Sequence, residues 1–137
     1  MKSSQKLRVV LDTNVLVSAL VFGGKPRIAI EAVLEDGTVI ISPEILTEVR
    51  RIVHAKFPTF VKHFERLDQL LKRDTVGVEL GSIQVTVCRD PDDNRIIETA
   101  VIGNATYIVS GDKDLLVLQT YEAIKILKPV EFLEIVQ

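Results

Sequence analysis

The sequence contains little of what several classes of protein require. Among its 137 residues are one cysteine, two histidines and no tryptophan, so internal disulfides and a zinc site built from cysteines are excluded. No stretch approaches the ~20 consecutive apolar residues of a membrane-spanning helix, and the start, MKSSQKLRVVLD, has no signal-peptide cleavage site. We therefore expect a protein of the reducing cytoplasm without a membrane partner, in which oxygen atoms would hold any bound metal.

Apolar residues are plentiful enough to form one hydrophobic core. They make up 47% of the chain, against 26% charged residues, which excludes an intrinsically disordered protein. The length is typical of one domain, and no linker, repeat or low-complexity segment interrupts it. We expect a single domain over residues 1–137.

The small net charge of −2 conceals two segments of opposite sign. Residues 50–73 contain seven Lys and Arg against two acids, and residues 90–114 contain six acids against two cations. The overall charge argues against a general nucleic-acid coat protein. The two segments are either ordinary solvated helix faces or a basic surface beside an acidic site.

The order of apolar runs and helix signals predicts alternating strands and helices. Strands are predicted at 7–12, 38–42, 106–110 and 123–127, with a short strand or loop in 75–87. Helices are predicted at 14–20, at 28–37 and from Pro43 until Pro58 interrupts the helix. Further helices are predicted from residue 60 to about 73, from Pro91 to Gly103 and near 113–119. Ser42 and Asp90 are predicted N-caps, each followed by proline at the first helical position. This alternation predicts a three-layer α/β/α sandwich with a mostly parallel central sheet.

Three aspartates fall where such a sheet would form a site. Asp12 follows the first strand, Asp112 follows a later strand, and Asp93 lies in the first turn of a helix. Functional sites form at the carboxyl ends of parallel strands, and carboxylates gathered there repel one another. A divalent cation removes this repulsion, and Mg²⁺ and Mn²⁺ prefer oxygen ligands.

Each acid also has a purely structural interpretation. Asp12 and Asp112 are suitable N-caps, while Asp93 and Asp114 would interact favourably with a helix dipole. Asp90 and Asp92 are assigned to capping, and Cys88 to the core.

Helical geometry singles out Glu48. In the helix that starts at Pro43, Glu48 lies ~100° and Glu44 ~140° from the centre of the apolar face, at ~100° per residue. Glu48 is therefore expected either to flank the core and point into a pocket, or to remain a surface glutamate, while Glu44 faces water.

Four ordered blocks resemble the PIN-domain family. They are VVLDTNVLVSAL (9–20), ISPEILTEVRRIV (41–53), CRDPDDNRIIETAV (88–101) and YIVSGDKDLL (107–116). More narrowly, the chain resembles the toxin components of prokaryotic type II toxin–antitoxin systems. The resemblance covers nearly the whole chain and implies a PIN-like fold.

The resemblance also implies a set of site residues. The acids of the family motif fall on Asp12, Glu48, Asp93 and Asp112, and an additional acid of many members falls on Asp114. Asn14 and Ser110 match polar positions that support the site. These residues would bind Mg²⁺ or Mn²⁺.

The implied activity is metal-dependent hydrolysis of RNA phosphodiester bonds. The basic segment, represented by Arg50, Arg51, Lys56 and Lys62, would contact the RNA backbone. The resemblance further implies an antitoxin partner and a homodimer. The alternative is a catalytically inactive PIN-like module that binds RNA or protein. A phosphatase of the haloacid-dehalogenase type is disfavoured because Asn14 stands where its second aspartate would be.

Overall fold

The computed structural model describes residues 7–136, apart from the side chain of Leu70. The first six residues, where no signal peptide is expected, therefore lie outside the described part. The elements in chain order are β1 (Leu7–Leu11), α1 (Thr13–Val21), α2 (Gly24–Asp36), β2 (Gly37–Ile41), α3 (Pro43–Lys56), a 3₁₀ turn (Pro58–Phe60), α4 (Val61–Asp74), β3 (Thr75–Gly77), α5 (Pro91–Ile102), β4 (Tyr107–Val109), α6 (Lys113–Leu116), β5 (Thr120–Tyr121), β6 (Ile124–Leu127) and α7 (Pro129–Val136).

The strands form one six-stranded sheet in the order β3-β2-β1-β4-β6-β5. The pairs are parallel except β5 with β6, which is antiparallel. The predicted α/β/α sandwich with a mostly parallel sheet is confirmed. In the described part of the chain, no helix has both the length and the hydropathy needed to cross a membrane.

The inner strands are apolar because both faces of the sheet are covered. Val9, Val10, Val39, Ile40 and Ile108 are completely buried. Helix α5 approaches the sheet so closely at its C-terminal end that a Cβ on Gly103 would overlap the side chain of Ile40.

Several element boundaries differ from the sequence predictions. Helix α2 begins at Gly24 rather than residue 28, because Gly23 and Gly24 adopt positive φ angles that turn the chain directly into the helix. Strand β5 and helix α7 were not predicted. Strand β5 has only two residues, which is too short to show a periodic pattern. The N-caps Ser42 and Asp90 are confirmed.

The strand register determines which loops become neighbours. Leu11 at the end of β1 is paired with Val109 at the end of β4. The next residue, Asp12, continues the ladder by donating its backbone N–H to the carbonyl of Val109 over 2.9 Å. The loops that carry Asp12 and Ser110 therefore leave the sheet side by side.

Candidate metal centre

Asp12 is buried at the carboxyl end of β1. Its side chain makes no capping hydrogen bond to the first turn of α1. Instead, its Oδ2 accepts a hydrogen bond of 2.6 Å from the hydroxyl of Ser110. Because only 4% of Asp12 is exposed, the Ser110 hydroxyl replaces water as a donor to its carboxylate, and the backbone N–H groups of Thr13 and Asn14 also favour the charged form.

Ser110 connects two of the predicted site acids. It is completely buried, and its Oγ also accepts a hydrogen bond of 2.9 Å from the backbone N–H of Asp112. One hydroxyl thus orients the Asp12 carboxylate and the start of the Asp112 loop.

Asp93, Asp112 and Asp114 form a compact group of carboxylates. Each contributes an oxygen that lies within 4.8 Å of the other two. Asp93 comes from the first turn of α5 and is 6% exposed. Asp112 caps α6 by accepting a 2.8 Å hydrogen bond from the backbone N–H of Asp114. Asp112 therefore caps α6 and belongs to this acidic group at the same time.

The negative charges in this group repel one another. Burial, followed by the negative charges of Asp112 and Asp12, raises the pKa of Asp93 to about 7. Burial also raises the pKa of Asp12, where the hydrogen bond from Ser110 acts in the opposite direction and the charge of Asp112 adds to the increase. The repulsion predicted from the sequence is present in the folded structure, and it involves Asp12, Asp93 and Asp112.

The donor set fits a magnesium-sized cation. Oxygens bound to one octahedral Mg²⁺ lie roughly 3–4 Å apart, since each bond is about 2.1 Å long. Carboxylate oxygens within 4.8 Å of one another are close to this spacing. Asp93, Asp112 and Asp114 supply the oxygen donors that Mg²⁺ and Mn²⁺ prefer.

Arg89 contacts the edge of the acidic group. Its Nη2 lies 3.0 and 3.2 Å from the two carboxylate oxygens of Asp114. The Arg89 side chain is 88% exposed, so it forms a surface ion pair, and surface ion pairs are weak. Arg89 therefore does not fill the centre as a buried counterion would.

Glu48 flanks the core as predicted, but its contacts are with other residues. It is half-buried, whereas Glu44 is exposed. Burial, and then a hydrogen bond and charge repulsion from Asp92, raise the pKa of Glu48 to about 7, while Arg51 acts to lower it. The structure brings Glu48 to Asp92 rather than into the group formed by Asp93, Asp112 and Asp114.

The assignment of Asp92 to capping was wrong. Asp90 alone performs that role, accepting a hydrogen bond from the backbone N–H of Asp92. At the second helical position, the Asp92 side chain contacts Nη1 of Arg95 at 2.5 Å. Cys88 packs against the hydrophobic core at its edge. It is half-buried, and burial together with the neighbouring Asp93 raises the pKa of its thiol.

The remaining predicted residues are not members of the group formed by Asp93, Asp112 and Asp114. Asn14 is exposed, and its backbone N–H lowers the pKa of Asp12. Arg50 turns toward α4, where it contacts Asp68 at 3.7 Å and lies over the ring of Phe64. Arg51 contacts Glu48, and Lys56 and Lys62 are exposed on α3 and α4.

Two residues of α5 that the sequence analysis missed fasten the preceding loop. The side-chain amide of Asn94 accepts a hydrogen bond from the backbone N–H of Cys88 and donates one to its carbonyl. Glu98 accepts a hydrogen bond of 2.9 Å from the backbone N–H of Val85. The available sequence signal for Asn94 was its position as a polar residue directly after the DPDD run.

Comparisons with known proteins agree with this architecture. A family model described as PIN domain matches residues 8–114. The uncharacterized protein MJ1680 of Methanocaldococcus jannaschii is 32% identical over 142 aligned residues, which cover 94% of this chain and 91% of that protein. The crystal structure of VapBC2 from Rickettsia felis, bound to a DNA fragment from their promoter, superposes with a TM-score of 0.62. That superposition covers 88% of this chain and 97% of the other at 15% identity, so it bears on the fold alone.

Proposed function

Because this chain belongs to the PIN-domain family, we propose that it is a divalent-metal-dependent ribonuclease that hydrolyses RNA phosphodiester bonds. The observation that carries the proposal is the group of Asp93, Asp112 and Asp114 within 4.8 Å, beside the buried carboxylate of Asp12. On this proposal, residues 1–137 form one PIN-like domain.

The acids of the site have different roles in this proposal. Asp93, Asp112 and Asp114 would hold Mg²⁺ or Mn²⁺, with Asp12 as the buried acid of the same centre and Glu48 as a further ligand or water-positioning group. A bound divalent cation supplies charge neutralisation at a phosphoryl group and lowers the pKa of a water molecule. Ser110 keeps the Asp12 carboxylate in one orientation, and the backbone N–H of Asn14 favours its charged form.

The basic helices would compensate for the acidic centre when RNA approaches. A polyanion is repelled by clustered carboxylates and attracted by Lys and Arg. Arg51 lies 3.9 Å from Glu48, while Lys56 and Lys62 are exposed on α3 and α4. Arg50 would contribute through long-range attraction, since its side chain faces Asp68.

The biological role proposed here is that of the toxin in a toxin–antitoxin pair in the cytoplasm. The sequence resemblance to such toxins and the similarity of fold to VapBC2 support it. A cognate antitoxin would then be a partner, and a homodimer is the proposed assembly.

The decisive experiment compares cleavage of single-stranded RNA by the wild type and by Asp12→Asn. We expect cleavage with Mg²⁺ or Mn²⁺, products with 5′-phosphate and 3′-hydroxyl ends, and no cleavage in EDTA or by Asp12→Asn. Asp90→Asn is the matched control, because asparagine caps a helix as well as aspartate; it should retain activity.

Two results would contradict the proposal. Cleavage at the wild-type rate by Asp12→Asn would remove this centre from the reaction. RNA binding without turnover in either metal would indicate the inactive binding module instead.

A further inference from the structure

A polar cavity lies between α3 and α5, separate from the group of Asp93, Asp112 and Asp114. It has a volume of about 350 Å³, and its polar lining consists of Glu44, Thr47, Glu48, Arg51, Asp92 and Arg95. This volume is within the range of ~300–1,000 Å³ that small-ligand sites occupy. It is large enough for one nucleotide unit and too small for a duplex.

The cavity shares Glu48 with the proposed reaction centre. A narrower space shares Glu48, Asp92 and Arg95 with it and reaches Thr13, the residue next to Asp12. Asp92, which also lines the cavity, directly precedes Asp93 in α5. A polynucleotide with one phosphate at the acidic centre therefore has an adjoining space for a neighbouring nucleotide.

Two ion pairs present two guanidinium groups to this cavity. Glu48 and Asp92 both line it; Nη2 of Arg51 lies 3.9 Å from Glu48, and Nη1 of Arg95 lies 2.5 Å from Asp92. The Arg51 contact is too long for a hydrogen bond, and Arg95 uses one of its two terminal nitrogens on Asp92. Each guanidinium has five N–H donors, so both retain donors for a ligand.

Donor forks of this kind recognise phosphate oxygens. Guanidinium groups bind phosphates through paired N–H···O bonds, which are stronger than bonds between neutral groups. Both arginines remain accessible, with 67% and 47% of the side chain exposed for Arg51 and Arg95 respectively. Arg50 on the same helix contacts Asp68 instead, so proximity to this cavity distinguishes Arg51 from its neighbour.

We propose that this cavity is a subsite for the nucleotide adjacent to the cleaved bond, with Arg51 and Arg95 binding its phosphodiester. The inference rests on the proposed RNA substrate and adds Arg95, which the sequence analysis did not select. The two arginines position the RNA strand across the acidic centre.

Binding in EDTA tests the subsite without any cleavage. The probe is a short fluorescently labelled single-stranded RNA, and its anisotropy is measured with the wild type, with Arg51→Gln/Arg95→Gln, and with Arg27→Gln. Arg27 is an exposed arginine of α2 that lines a different cavity, so its variant loses charge away from the subsite. We expect about tenfold weaker binding for the double variant and a log–log salt dependence shallower by about one unit. We expect Arg27→Gln to bind like the wild type.

A charge-conserving variant separates the guanidinium geometry from simple attraction. Arg51→Lys/Arg95→Lys keeps both charges but loses the planar donor fork, so we expect only partial recovery of affinity. Full recovery, or wild-type binding by the glutamine variant, would overturn the subsite. Equal melting temperatures for the three variants would verify that folding is not the cause.

Cleavage kinetics distinguish failure of the subsite from failure of the proposed activity. If the wild type cleaves RNA, the double glutamine variant should show a raised KM with kcat close to that of the wild type. Cleavage with unchanged KM and unchanged binding would reject the subsite alone. If the wild type does not cleave RNA in Mg²⁺ or Mn²⁺, the proposed activity fails, and the anisotropy measurement still decides whether the cavity binds a polynucleotide.

Discussion

The hydroxyl of Ser110 donates a hydrogen bond of 2.6 Å to the carboxylate of Asp12, although the two residues are 98 positions apart in the chain. The parallel pairing of β1 with β4 makes this contact possible, because Leu11 and Val109 end their strands in register. The bond stabilises the charged form of a carboxylate that burial would otherwise favour as the neutral acid. Ser110 is therefore a positioning residue for the proposed centre.

Ser110→Ala tests this positioning role. Removing the donor leaves a buried carboxylate oxygen unsatisfied, which should cost about 1–3 kcal/mol of stability and raise the pKa of Asp12 further. We expect weaker Mn²⁺ binding and a pH–rate profile displaced toward higher pH. Ser42→Ala is the matched control, since it removes another completely buried serine that caps α3. It should cost about 1 kcal/mol and leave the pH–rate profile in place. Identical profiles for the two variants would contradict the role of Ser110.

Asp93→Asn tests the repulsion within the acidic group. The change removes one of the mutually repelling charges, so the metal-free variant should melt at a higher temperature than the wild type at pH 8. It should also lose most of the stabilisation that Mn²⁺ gives to the wild type by binding the folded state. Both are measured by thermal unfolding in EDTA and in millimolar Mn²⁺. Asp90→Asn should keep the Mn²⁺-dependent shift, and its loss there would mean that the effect is not specific to Asp93.

The raised pKa of Asp93 predicts a pH-dependent difference between the wild type and Asp93→Asn. The pKa is about 7 in the folded protein and ~3.9 in an unfolded chain, so the folded state binds more protons between these values. Stability of the metal-free wild type should therefore fall as pH rises through this window and level off above pH 7. The free-energy difference between variant and wild type, from urea unfolding at pH 5, 6, 7 and 8, should increase with pH. A constant difference would show that Asp93 titrates normally.

Asn94→Ala tests how the loop before α5 is held. The buried amide makes two hydrogen bonds to the backbone of Cys88, and their loss should cost about 1–3 kcal/mol. We expect faster amide hydrogen exchange in residues 85–89. The exposed amide of Gln69 on α4 provides the control, since Gln69→Ala should change neither stability nor exchange in this loop. Unchanged exchange in Asn94→Ala would show that other contacts hold the loop.

The sequence was most informative where local chemistry decides the structure. Ser42-Pro43 and Asp90-Pro91 predicted two helix starts, because capping depends only on residues within one turn. The apolar runs of β1, β2 and β4 predicted buried parallel strands for the same local reason. Strand β5 was missed because two residues carry no period, and its pairing with β6 is a tertiary event.

The candidate site was predictable in its members but less so in its connections. The positions of Asp12, Asp93 and Asp112 at element ends indicated an acidic site. Helical spacing already makes Arg95 a neighbour of Asp92, three residues earlier in α5. Nothing in the sequence indicated that Asp92 would also meet Glu48, since that contact depends on how α3 packs beside α5. The direction of Arg50 toward Asp68 was equally inaccessible, because adjacent residues of a helix point about 100° apart and only packing decides which neighbour each one meets.

The sequence by itself determined the alternating α/β order, the helix caps and the set of acids available to the site. These follow from side-chain chemistry acting over a few residues. Only the tertiary structure decided which acids share a space and which arginines accompany them. Strand register and helix packing set those distances, and because the repulsion between carboxylates depends on separation and burial, the electrostatic character of the site exists only in the folded chain.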